Sequence, residues 1–228
     1  MDNQIFERVD NYIANLLAPE DNALAETIQT IKHENIENAS ISANQGKFLQ
    51  VLAIACNAKR ILELGTLGGY STIWLARTLP NDGKLISIES NSLHAQLAQK
   101  NISNAGLANI VDLKIGKALD ILPKMIMDKE TPFDFIFIDA DKPPYTEYFK
   151  FALQLSRPGT IIVCDNVIRN GKVLGEDISD EKVNGVRRLN SFLAGCSEIF
   201  ATILQTVGAK EYDGMVVAVV KNNHAQRY

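Results

Sequence analysis

Apolar positions repeat at two periods along this chain, and the period changes from segment to segment. Ile5, Phe6, Val9, Tyr12, Ile13 and Leu16 fall at helical spacing. They predict an amphipathic helix over Asn3–Leu17 that stops before Pro19. Asp21 is placed to cap a second helix carrying Leu24, Ile28 and Ile31. The polar run Ile41–Gly46 reads as a loop opening a third helix with Phe48, Leu49, Val51, Leu52 and Ala55. Strand and helix patterns then alternate. Arg60–Leu64, Lys84–Glu89, Ile110–Ile115, Phe133–Ile138 and Gly159–Cys164 are short apolar runs bounded by turn residues. Such runs belong to a parallel sheet covered on both faces. Ile73, Trp74, Leu75 and Leu79 mark one intervening helix, and Leu93, Leu97 and Ile102 the next, which is closed by Asn104-Ala105-Gly106. Leu119, Leu122 and Met125 mark another, and Tyr145, Tyr148, Phe149, Ala152 and Leu155 a fourth, closed by Arg157-Pro158-Gly159. Val183, Val186, Leu189, Phe192 and Leu193 mark a last long helix. Ile199–Gln205 and Gly214–Val220 finish the chain, joined by a turn too short for a crossover helix, so they pair antiparallel. The expectation is one α/β domain over residues 1–228, with 1–40 as an N-terminal helical appendage.

Two of these strands end abruptly in acid. Phe137-Ile138-Asp139-Ala140-Asp141-Lys142 closes one, and Val163-Cys164-Asp165-Asn166 closes the next. A right-handed strand–helix–strand unit sets such strands side by side or nearly so. Asp139, Asp165 and Asn166 then emerge at one carboxyl edge, where open α/β sheets bind ligands. Two carboxylates and an amide oxygen are hard ligands, suited to Mg²⁺, Mn²⁺ or Ca²⁺ rather than zinc. Lys142 follows the first acid by one turn, so a base can stand beside the metal.

Composition narrows the class. The chain has 228 residues, 46% hydrophobic and 22% charged, enough for a substantial core. A net charge of −4 without a basic run argues against a nucleic-acid surface. Cys56, Cys164 and Cys196 are odd in number and widely spaced, as free thiols in a reducing compartment are. Neither a secretory leader nor a membrane-length apolar run is apparent, so a cytoplasmic location is expected.

The first strand runs into Gly65-Thr66-Leu67-Gly68-Gly69-Tyr70-Ser71. Strand, glycine loop, helix, strand, acid is the dinucleotide-binding outline. Its fingerprint needs glycine where Leu67 and Tyr70 stand, so close approach to a pyrophosphate is blocked. The loop still offers backbone amides and Ser71 to a smaller anion, and Glu89 is spaced to accept ribose hydroxyls. A nucleoside with an amino-acid tail fits: S-adenosylmethionine.

The runs Glu63–Ser71, Ile138–Lys142 and Asp165-Asn166-Val167 together resemble the cation-dependent O-methyltransferases, the catechol and caffeoyl-CoA family, and most of all its small bacterial members. The similarity spans Ile41 to the C-terminus. The resemblance implies the Rossmann-like S-adenosylmethionine-dependent methyltransferase fold, a seven-stranded mostly parallel sheet with the last strand antiparallel, and a homodimer. It implies S-adenosylmethionine contacts at Ile41, Ser42, Glu63, Gly65, Thr66, Gly69, Tyr70, Ser71, Glu89, Ala118, Asp139 and Ala140. It assigns the metal to Asp139, Asp165 and Asn166, and the general base to Lys142. The acceptor would be a catechol-like small molecule such as a hydroxycinnamate or flavonoid.

Three positions depart from the family. Many relatives carry an aromatic residue where this chain has Arg169, a position facing the substrate, and Pro143-Pro144 follow Lys142 where polar residues are common. A cation at the substrate wall suits a carboxylated or phenolate-rich acceptor. His33, His94 and His224 lie outside every motif and read as surface residues. Two alternatives use the same residues differently: a metal-independent methyltransferase, and a protein that binds S-adenosylmethionine without turnover.

Overall fold

The computed structural model describes residues 3–37, 39–210 and 212–222. His224 lies outside them. Seven strands form one sheet: β1 (Arg60–Leu64), β2 (Lys84–Glu89), β3 (Val111–Ile115), β4 (Phe133–Ile138), β5 (Ser156–Cys164), β6 (Ile199–Thr206) and β7 (Asp213–Val220). Their order is β3-β2-β1-β4-β5-β7-β6, and β7 alone runs against its neighbours. The antiparallel last strand expected from the short turn is therefore present. It is inserted between β5 and β6, an order the turn length does not dictate.

Among the described residues there are eight α-helices, of which all but the first flank the sheet: α1 (Asn3–Leu17), α2 (Asn22–His33), α3 (Ala43–Ala55), α4 (Tyr70–Ala76), α5 (Ser92–Asn104), α6 (Ala118–Met127), α7 (Tyr145–Gln154) and α8 (Glu181–Gly195). Strand β4 shows why both faces need cover, since all six of its residues are buried. Phe135 and Phe137 face the core beneath α2 to α5, while Ile136 and Ile138 face the core beneath α6 to α8. Truncating a phenylalanine this deep costs about 3–5 kcal/mol.

Three expected boundaries shift, each for a local reason. Helix α3 begins at Ala43 rather than beyond a loop ending at Gly46. Ser42 accepts from the Gln45 amide at 3.2 Å, and the Gln45 side chain accepts from the Ser42 amide at 2.7 Å, a reciprocal cap. Leu79 lies outside α4, because Thr78 and Leu79 turn back onto Leu75 and Ala76 with three-residue bonds. Strand β5 begins at Ser156, before Pro158-Gly159; a register shift between Phe133 and Phe135 absorbs the kink. Pro158 precedes the stretch paired with β7, Ile161–Cys164, so its missing N–H breaks no bond there.

The N-terminal helices differ in what they do. Helix α2 buries Leu24, Thr27 and Ile31, and a Cβ at Gly68 would overlap Ile31, so α2 sits directly on the glycine loop. Asn101 of α5 reinforces the contact, donating to the Gly68 carbonyl at 2.9 Å. Helix α1 reaches α3 through Asp10 and Asn44, yet leaves Tyr12, Leu16 and Leu17 at least 59% exposed. No helix among the described residues is long and apolar enough to cross a membrane.

Candidate active site

Strands β4 and β5 pair in parallel with Ile138 opposite Cys164, so the residues that follow leave the sheet at the same level. The Asp139 amide donates to the Leu64 carbonyl at 2.8 Å, and the Asp165 amide to the Ile138 carbonyl at 3.0 Å. The two acids are thereby held by the ends of β1 and β4. Asp165 is buried, and its carboxylate accepts from the Asn166 amide at 2.8 Å. Burial pushes its carboxyl up to about 7, helped by the nearby Asp139 charge and opposed by Lys142. Asn166 takes a left-handed φ of 57°. Lys142 is 6% exposed, which is unusual for a lysine. Its Nζ stands 2.9 Å from Asp139 Oδ1, 2.7 Å from the Tyr145 hydroxyl and 3.3 Å from the Asp165 carbonyl.

At the other end of the sheet edge the glycine loop turns sharply. Gly65 has φ +93°, and a Cβ there would overlap the Asp139 carbonyl, so only glycine lets β1 and β4 part so close together. Glu89 braces the loop. One of its oxygens accepts from the Thr66 amide at 3.1 Å and the Leu67 amide at 2.9 Å, and the other from the Asn91 amide at 2.8 Å. The Tyr70 hydroxyl donates to Glu20 at 2.6 Å; burial, and then that carboxylate, hold the phenol above its usual range. Beneath the loop, Glu63 is fully buried and binds the hydroxyls of Ser71, Thr72 and Ser87 at 2.5–2.6 Å. Burial pushes its carboxyl up to about 7 against those three bonds.

One cavity of about 790 Å³ joins the two ends. Of the residues assigned to the cofactor, Ile41, Gly65, Thr66, Tyr70, Ser71, Glu89, Ala118, Asp139 and Ala140 stand in its wall. Lys142, Asn166 and Arg169 line its other end. Four assigned residues lie outside the wall. Glu63 and Asp165 are buried behind it, Gly69 with φ +88° lies against α5, and Ser42 caps α3.

The loop after Asn166 is held from one side. Asp213 accepts from the amides of Ile168 and Arg169 at 2.8 Å and of Gly214 at 2.9 Å. Arg169 has φ 54°, and its Nε is buried without a partner among the described residues.

The cavity also contains residues the sequence does not single out. His94 is one of them, which corrects its assignment to the surface: its side chain is 25% exposed and Nδ1 stands 3.9 Å from Glu89. Its place in the first turn after a strand-end acid was the available signal. Tyr148 donates to Asp141 at 2.6 Å at the cavity wall, and Lys182 reaches the wall from the first turn of α8. Tyr145 lies just behind Lys142; its helical spacing marked it as core.

The chain matches the O-methyltransferase family over residues 15–219. It is 58% identical to a catechol O-methyltransferase from Niastella koreensis over 221 residues, 97% of this chain and 100% of that one. Among solved structures it resembles the O-methyltransferase TomG from Streptomyces achromogenes, involved in tomaymycin synthesis and solved with S-adenosylmethionine. That likeness has a TM-score of 0.93 at 46% identity, over 97% of this chain and 100% of that one. An O-methyltransferase from Bacillus cereus, solved with S-adenosylhomocysteine, also gives a TM-score of 0.93 at 46% identity, over 96% and 100%.

Proposed function

This chain belongs to the O-methyltransferase family, and from that premise we propose that it transfers the methyl group of S-adenosylmethionine to one hydroxyl of a catechol-like small molecule, with a divalent metal, Mg²⁺ ahead of Mn²⁺ or Ca²⁺. The observation that supports this reading is the single cavity running from the glycine loop to the corner formed by Asp139, Lys142 and Asn166.

The donor set fits both groups. Two carboxylates, the partly buried Asp139 and the buried Asp165, lie near each other beside the Lys142 nitrogen, and Asp165 is pushed up by its surroundings. A hard cation offsets that excess of negative charge, and Asn166 adds a neutral oxygen. These three residues would hold the metal, which when bound polarises and orients the two acceptor oxygens. For the cofactor, Ser71 and Ile41 beside the glycine loop suit an amino-acid end, while the Gly65 and Thr66 amides are taken up by the Ile88 carbonyl and by Glu89; Glu89 suits ribose hydroxyls. Ala118 and Ala140 leave room for a flat base. Glu63, Gly69 and Ser42 act from behind, shaping the loop and the start of α3. The cofactor supplies an activated methyl group for in-line transfer.

The chain's own residues then do three things. They hold the two reactants in line, which supplies much of the rate without new chemistry. Lys142 takes the proton of the acceptor hydroxyl, a role worth about 10²–10⁴-fold. Arg169 forms part of the acceptor wall and favours an anionic substituent.

We also propose a homodimer, supported by the uncovered apolar stripe of α1 and the exposed Phe200 and Leu204 of β6. Three free cysteines suit the cytoplasm, and the net charge of −4 does not suit nucleic acid.

The test is methyl transfer from labelled S-adenosylmethionine to catechol and caffeic acid, with chelator and then with Mg²⁺ restored. Loss and recovery are expected. Transfer indifferent to chelator would remove the metal and leave a metal-independent methyltransferase; cofactor binding with no transfer to any catechol would favour a protein that binds without turnover.

A further inference from the structure

Tyr145 begins α7, is fully buried, and does not reach the cavity wall. Its hydroxyl oxygen meets three groups: Lys142 Nζ at 2.7 Å, the Ile138 carbonyl at 3.0 Å and the Asp165 carbonyl at 2.8 Å. A phenol has one proton, and a carbonyl can only accept. The proton therefore goes to the end of β4 or the end of β5, and the oxygen lone pairs face Lys142. The lysine in turn gives one N–H to Tyr145 and one to Asp139 Oδ1 at 2.9 Å. The third contact of the nitrogen is the Asp165 carbonyl at 3.3 Å, the longest of the three. The ring contributes as well, with Nζ 4.5 Å from its centroid.

This arrangement leaves one direction at the nitrogen loosely held and two firmly held. A phenylalanine would fill the same space, so packing does not explain the hydroxyl. Two of its contacts fall where Asp139 and Asp165 leave the sheet, and the third is the amine beside them. The sequence motif carries Lys142, whereas the helical spacing of Tyr145, three residues on, is that of a core residue.

We propose that Tyr145 is a positioning residue for methyl transfer. Its hydroxyl, anchored on the Ile138 and Asp165 carbonyls, holds the Lys142 nitrogen in place beside Asp139 at the acceptor end of the cavity. The proposal rests on Lys142 being the base.

The test compares Tyr145→Phe, Lys142→Met and the double variant. Calorimetry with S-adenosylhomocysteine, run on each preparation, counts the folded sites. For Tyr145→Phe the affinity for S-adenosylhomocysteine stays within about twofold, while kcat falls about 10- to 100-fold and the acceptor KM moves less than about threefold. The double variant is no slower than Lys142→Met, because the hydroxyl acts through the amine. If Tyr145→Phe keeps the wild-type kcat while Lys142→Met loses it, the proposal is overturned and the base stands. If Lys142→Met keeps the wild-type kcat, both fall. A double variant slower by the full product of the two losses also overturns the proposal. Should Tyr145→Phe fail to bind S-adenosylhomocysteine, Tyr145→Met carries the same expectations.

Discussion

Lys142 Nζ lies 2.9 Å from Asp139 Oδ1, with the two side chains only 7% and 20% exposed. The contact joins a residue assigned to proton transfer with one assigned to the metal, so two variants should separate the roles. Lys142→Met should cut turnover by about 100-fold or more and leave the metal concentration for half-maximal activity unchanged. Asp139→Asn should raise that concentration by about tenfold or more, since a carboxylate ligand becomes an amide. Metal titrations of both variants check this, and an unchanged metal requirement in Asp139→Asn would remove Asp139 from the metal set.

Glu63 predicts the direction in which stability depends on pH. Its carboxyl is pushed up from 4.5 to about 7 by burial. Between those values the folded chain holds a proton that the unfolded chain has released. The contribution is therefore complete below pH 4.5 and is lost as pH rises through about 7. The size is about 3 kcal/mol at most. Urea unfolding at pH 5 and pH 8 reads it: Glu63→Gln should flatten the decline and be relatively more stable at pH 8. A decline of equal slope in the variant would assign the effect elsewhere.

Gly185 lies in the first turns of α8, where a Cβ would overlap the Lys142 carbonyl and crowd Pro143. The helical backbone itself tolerates alanine well. Gly185→Ala should therefore act by pushing the Lys142–Pro143 backbone away from α8. We expect turnover to fall about tenfold or more, because small misplacements of reacting groups are costly. Affinity for S-adenosylhomocysteine should hold, since Gly185 is remote from the glycine loop. Wild-type turnover in a folded Gly185→Ala would show that the base loop is free to move.

Much of this site was legible because strand ends are marked locally. Asp139, Asp165 and Glu89 each follow a buried apolar run, and a parallel sheet brings such ends to one edge whatever the details of the loops. The start of α3 was legible too, since Ser42 and Gln45 stand at capping-box spacing, yet the polar composition hid it. Other features depend on tertiary contacts that leave no local pattern. Strand β7, Asp213–Val220, is apolar on both faces and β6 is not, which suits an inner and an edge strand, but turn length alone cannot set that order. Tyr145 carries the spacing of a core residue; only the parallel pairing of β4 and β5, which brings the Ile138 and Asp165 carbonyls together, reveals that its hydroxyl meets Lys142. His94 carried only the weak signal of its place after a strand-end acid, because the cavity reaches it only when α5 stands over Glu89.

The uncovered stripe of α1 predicts how the chain assembles. Tyr12 and Leu16 are 65% and 59% exposed, and Phe200 on β6 is 65% exposed. Sedimentation of the wild type should give a dimer at micromolar concentration. Tyr12→Asp with Phe200→Asp should shift it to monomer while leaving the far-UV spectrum unchanged, because neither residue is part of the core. A wild type that sediments as a monomer would refute the dimer.

Arg169 gives the sharpest test of what the acceptor end prefers. Its left-handed backbone is fixed by Asp213, which takes the amides of Ile168 and Arg169, so substituting another non-glycine residue leaves the backbone cost nearly unchanged. The side chain stands in the cavity wall together with Lys182, giving that end two cations. A carboxylated catechol would meet one of them, whereas an unsubstituted catechol would gain little. A charge-assisted hydrogen bond of about 1.5–3 kcal/mol corresponds to about 10- to 100-fold in kcat/KM. Arg169→Trp should therefore lower the ratio of kcat/KM for caffeic acid over catechol by roughly that factor, with most of the change in KM for the acid. Salt should weaken the preference of the wild type and not that of the variant, since only the wild type uses this charge. An unchanged ratio in Arg169→Trp would mean that the guanidinium shapes the wall without reading the charge of the acceptor.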